Sequence, residues 1–155
     1  MADTALTIND DRVSPLSVQE KAATGCNIKF KVLYSDLSAT TSASNDTITL
    51  TLGATPAKWY IDKCMMNIST AFTGVSNMVW TVGTTTSVAA LISSTSVLTA
   101  AVLNQAVGVP VLTNTTATAS KSLVAIATTG TGGGPALTAG EFTIYMNLVD
   151  ATQLP

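Results

Sequence analysis

The sequence predicts an all-β protein, a jelly roll or β-sandwich of about seven or eight strands with an extended N-terminal arm. Composition is the first reason. Threonine is the commonest of the 155 residues, with 27 copies, and its branched Cβ suits a pleated sheet better than a helix. Glutamate, a strong helix former, stands only at positions 20 and 141. The second reason is period. Several runs alternate apolar and polar residues, as half-buried strands do because their side chains switch faces at every step. The third is punctuation: Gly, Pro, Ser and Thr clusters break these runs at fairly regular spacing. There is no strand–helix–strand alternation, heptad or internal repeat. A chain of 155 residues suits one domain. Residues 28–155 read as that sandwich and residues 1–27 as the arm.

The arm is the most polar segment, holding Asp3, Asp10, Asp11, Arg12, Glu20 and Lys21. Leu6 and Ile8 suggest a short strand. Ser17-Val-Gln-Glu20 has the form of a capping box, with no apolar helical run behind it. An arm of this polarity is expected to be tied down against another subunit.

Asn27–Leu37 reads as a strand, then Ser38–Ser44 as a loop of small polar residues. Asp46-Thr-Ile-Thr-Leu-Thr-Leu52 alternates strictly, with Ile48, Leu50 and Leu52 on the core face. Gly53-Ala-Thr-Pro56 makes a corner into a second β-rich run, Trp59–Ser69. There Tyr60, Asp62, Cys64, Met66 and Ile68 share one face by parity, and Cys64, Met66 and Ile68 mark it as the core face. Asn77–Val82 is the next strand, and Ser87–Ile92 is the one place where a helical turn fits. Val97–Leu103 is too short for period to decide. Gly108–Leu112 is extended, with Pro110 suited to an edge. Lys121–Thr128 is a strand. Thr129–Pro135 is the loosest loop, and Glu141–Val149 closes the chain with Phe142, Ile144, Met146 and Leu148 on one buried face.

Charge is sparse, at 10% of residues against about 25% in ordinary domains. Its placement matters more. No Asp, Glu, Lys or Arg stands between Met65 and Ser120, and interface cores are depleted in charge. That stretch is expected to meet neighbouring subunits. Its apolar runs are too short to span a membrane. A net charge of −2 gives no footing on a phosphate backbone. Nucleic acid and membrane are therefore not expected partners. Lys29 and Lys31 share a solvated strand face. The N-terminus lacks a basic, then apolar, signal segment, so synthesis is expected in a cytoplasm, with Cys26 and Cys64 as reduced buried thiols. Spacing does not decide whether they pair.

Candidate chemistry is thin. Histidine is absent, which removes the commonest general base and most zinc sites. The few carboxylates after Asp46 have no local pairing. Gly130-Thr-Gly-Gly-Gly134 lacks the Lys and Ser/Thr of a phosphate loop and reads as a flexible hairpin tip. Asn9-Asp-Asp11 lacks the rest of a calcium loop. No catalytic residue, metal ligand or cofactor is expected. Trp59, Tyr60 and Trp80 could stack on a sugar; aromatics on strands more often serve a core or interface.

Four phrases carry a resemblance: Thr47-Ile-Thr-Leu-Thr-Leu-Gly-Ala-Thr-Pro-Ala-Lys-Trp-Tyr-Ile61, Ala71-Phe-Thr-Gly74, Val82-Gly-Thr84 and Leu137-Thr-Ala-Gly-Glu-Phe-Thr-Ile-Tyr145. Together they resemble small virion proteins of tailed bacteriophages, of the capsid decoration (cement) and head-fibre-like type. The resemblance implies a jelly roll or sandwich that oligomerises as a trimer or dimer. It implies a place on the capsid exterior, where the protein binds the major capsid protein at subunit seams and stabilises the shell. It carries over no site residues. Two alternatives stand beside it: a tail or fibre protein binding a host-surface glycan through Trp59, Tyr60 or Trp80, and a main shell or tail-tube subunit.

Overall fold

The structure is a computed structural model that describes residues 3–7, 13–38, 47–55, 59–85, 87–105, 121–131, 133–150 and 152. The described residues form ten strands: β1 Asp3–Thr7, β2 Val13–Pro15, β3 Ile28–Leu33, β4 Thr47–Thr55, β5 Trp59–Thr73, β6 Met78–Thr84, β7 Ser87–Ser96, β8 Ala101–Gln105, β9 Lys121–Thr129 and β10 Ala139–Asp150. Two short helices, α1 Val18–Thr24 and α2 Tyr34–Ser38, flank β3. The protein is an all-β sandwich, with the strand order β1-β4-β9-β6-β7 in the first sheet and β2-β3-β10-β5-β8 in the second.

The pairing explains that order. β3 pairs with β10, β4 with β9, β5 with β8 and β6 with β7, all antiparallel. The chain from β3 to β10 is thus one long hairpin of four nested pairs, rolled up until β10 meets β5 and β9 meets β6. That is a jelly roll of eight strands. The arm adds an edge strand to each sheet, β1 parallel to β4 and β2 antiparallel to β3. Its described strands are therefore tied to this chain's own sheets, where the sequence suggested another subunit.

The core lies between the sheets. Ile48, Leu50 and Leu52 of β4 and Phe142, Ile144 and Met146 of β10 are all buried, as their alternation implies. Trp80, Phe142 and Phe72 form an aromatic chain at its centre. Trp80 meets Phe142 edge-on with ring centroids 4.7 Å apart, and Phe142 lies 5.8 Å from Phe72.

Several local expectations are corrected. On β5 the simple parity that grouped Tyr60 and Asp62 with Cys64 fails, because Ile61 is buried and Asp62 exposed. A bulge between Ile61 and Lys63 shifts the register against β10. It turns Asp62 outward, where its carboxylate accepts a bond from Asn147 Nδ2 at 2.8 Å. Without that shift a carboxylate would enter the core. The run Ser87–Ile92 is strand, not helical turn. It pairs with β6 through large register shifts, and consecutive Leu91 and Ile92 are both buried. Pairing overrides the weak local preference. The strand expected through Leu37 stops at Leu33, whose N–H donates to Asp36 Oδ2 at 2.9 Å as α2 begins. Leu37 is then buried at the end of the core. The capping box is real even without an apolar stripe. Ser17 Oγ accepts the Glu20 N–H, and Glu20 Oε2 accepts the Ser17 N–H, satisfying two of the donors a helix start leaves open.

The glycine-rich loop is pinned where it is described. Gly130 N donates to Asn77 O at 2.8 Å, Thr131 N donates to Ser76 Oγ, and Gly133 and Gly134 are buried. Gly108–Leu112, the Pro56 corner and Asn9–Asp11 lie outside the described residues.

Candidate functional site

Two ion pairs gather around β3 on the second sheet. Lys29 and Lys31 on β3 face outward from the second sheet, and each meets a carboxylate. Lys29 Nζ lies 2.6 Å from Glu20 Oε1 of α1, and Lys31 Nζ lies 3.0 Å from Glu141 Oε2 of β10. Ser69 Oγ adds a bond to Glu141 Oε1 at 2.8 Å. The Lys29 ammonium, followed by the Ser17 N–H, holds the Glu20 carboxyl down at about 2. Both ion pairs remain partly open to solvent. The first orients α1 on β3 and the second ties β3 to β10, and solvent-exposed pairs like these add little to stability.

Charge disappears across the sheet. The row Lys31, Thr143, Asn67, Val102 crosses β3, β10, β5 and β8 at one level. The row Lys29, Tyr145, Met65, Asn104 crosses beside it. Each begins on a lysine and ends without charge. On the first sheet, Thr49, Ile126 and Thr81 form an outward row across β4, β9 and β6. Thr47, Thr128, Val79 and Ser96 form the next, reaching β7. Strands β6, β7 and β8 contain no Asp, Glu, Lys or Arg. Because β7 and β8 end their respective sheets, and only residues 97–100 join them, the uncharged strands β6, β7 and β8 form one continuous flank. This flank is the candidate functional surface.

The aromatic trio is not a platform. Trp80 is fully buried in the core, and its Nε1 has no hydrogen-bond partner among the described residues. It presents no face to a sugar. Trp59 and Tyr60 are half-buried neighbours at the start of β5, and adjacent strand residues point to opposite faces. The parity of Met78, Trp80 and Val82, all buried, was the signal for the core placement.

Both cysteines are free and buried. Burial pushes each thiol above its ordinary value, and a protonated buried thiol is a poor nucleophile. Among the described residues, no group of three or more Cys, Asp and Glu side chains is placed to hold a metal ion. No described helix is long and apolar enough to cross a membrane. No protein-family model, curated protein or solved structure matches the chain.

Proposed function

We propose that this chain is a structural protein of a bacteriophage virion, a decoration protein that binds the outer capsid at subunit seams and stabilises the shell. The observation that carries the reading is the charge-free flank built from β6, β7 and β8. A surface that stays in water usually carries interspersed charge, whereas the centre of an interface is depleted in it. The phage-like phrases supply the class of partner: the major capsid protein, met by many symmetric copies. A jelly roll suits the role because it offers broad flat faces on a rigid core. The reading assigns no catalysis and no cofactor. Its place is the virion exterior, after synthesis in the host cytoplasm. The glycan-binding alternative has lost its three-aromatic platform, because Trp80 lies in the core.

The test mixes the purified chain with capsid shells that lack it and pellets them. Decoration predicts saturable co-sedimentation that changes little between low and high salt, since no ion pairs carry the contact. Shells that pellet without the chain would overturn the proposal.

A further inference from the structure

We propose that the outer edge of β8 is a self-association site, where β8 of a second copy adds antiparallel across a two-fold axis. The two second sheets then run on into one. This deepens the reading above: part of the uncharged flank goes to a second copy, leaving β6, β7 and the threonine rows for the shell.

The edge itself is the first observation. β8 ends its sheet, and among the described residues no strand lies beyond it. It pairs with β5 in unbroken register from Ile68↔Ala101 to Cys64↔Gln105. Among the described residues, its other side is therefore a regular row of N–H and C=O groups with no strand against it, a template for another strand.

The second observation is that the other sheet ends carry the devices that discourage pairing. β2 has three residues and ends in Pro15, beside charged α1. β1 carries Asp3. β7 is distorted by register shifts against β6. β8 has no charge, no proline and no shift. Instead it bears Val102, which is 68% exposed and stands in register with Asn67 on β5.

The third observation selects the occupant. A charged strand laid on this edge would bury its charge beside a flank with nothing to pair it. Ala101–Gln105 is itself uncharged. Two copies related by a two-fold present the same edge to each other, antiparallel, so the contact is self-complementary and closes.

Sedimentation velocity of the full chain over a range of concentrations tests this. A reversible monomer–dimer equilibrium is expected. Val102→Lys, at an exposed site, should leave the far-UV circular dichroism unchanged and raise the dimer dissociation constant on the order of a hundredfold, because like charges meet near the axis. Val102→Thr, which keeps the shape without a charge, should dimerise like the parent. Thr128→Lys, on the exposed face of the other sheet, should also leave the dimer intact. A parent chain that stays monomeric, a folded Val102→Lys variant that dimerises as tightly as the parent, or a closed trimer would each overturn the inference. A chain that decorates shells as a monomer sinks this inference alone. One that dimerises but never binds shells sinks the proposed function alone.

Discussion

Adding one methyl group at Gly140 tests how β10 and β5 are locked together. A Cβ built there lies 2.4 Å from Cγ and Cδ1 of Phe72 and 2.8 Å from Cδ2. Non-bonded carbons rest at about 3.5–4.0 Å, so the ring must retreat by roughly 1 Å. It has nowhere to go: Phe72 is 1% exposed and packs on Phe142. Overpacking of this kind destabilises by about 1–3 kcal/mol. Gly140 also has φ +145°, which adds about 1–3 kcal/mol for alanine. Gly140→Ala should therefore lose about 2–6 kcal/mol of the roughly 5–15 that hold a domain together. Phe72→Ala alone should lose about 3–5 kcal/mol through its cavity. In the double variant the clash is gone and the new methyl partly fills the hole. The combined loss should fall short of the sum by about 1–3 kcal/mol. Urea unfolding, followed by tryptophan fluorescence and circular dichroism, measures all four corners of the cycle. Additive losses, or a Gly140→Ala chain as stable as the parent, would show that the ring does not sit over the glycine.

Further outcomes follow from the charged edge, the thiols and the flank. The Glu20 carboxyl should titrate near 2, below its ordinary value of 4.5. Because its pKa is depressed on folding, its stabilisation of the α1–β3 contact is present above about 4.5 and lost as pH falls through about 2. Carbon-detected NMR reads the midpoint, and Lys29→Met should raise it; an unchanged midpoint would mean the ion pair is absent. Cys26 and Cys64 should resist an aromatic disulfide reagent in the native chain and react together once unfolded, and prompt native labelling would contradict their burial. Ser94→Glu, on exposed β7, should change stability by less than about 0.5 kcal/mol yet abolish co-sedimentation with shells, and unchanged binding would move the contact off this flank.

Much of the core was legible because strict alternation survives folding. The Ile48/Leu50/Leu52 and Phe142/Ile144/Met146 faces needed only parity. What escaped depends on partners distant in sequence. The bulge at Asp62 is set by β10, some eighty residues on. The strand at Ser87–Ser96 exists because β6 pairs with it, and the helical end of Tyr34–Ser38 rests on one carboxylate reaching back to Leu33. The uncharged stretch was visible as composition. Its gathering into one flank was not, since that follows from jelly-roll order placing β7 and β8 at the same side of both sheets. Trp80 follows the core placement that aromatics on strands usually take: Met78 and Val82 share its parity, and all three are buried.

The most direct measurement is cryo-electron microscopy of bare capsid shells incubated with this protein. Density for the sandwich at subunit seams, with β6, β7 and the threonine rows of the first sheet against the shell and the Glu20–Lys29 side toward solvent, is the expected result. Shells without added density, or copies bound through α1 and β3 with the uncharged flank turned outward, would contradict it.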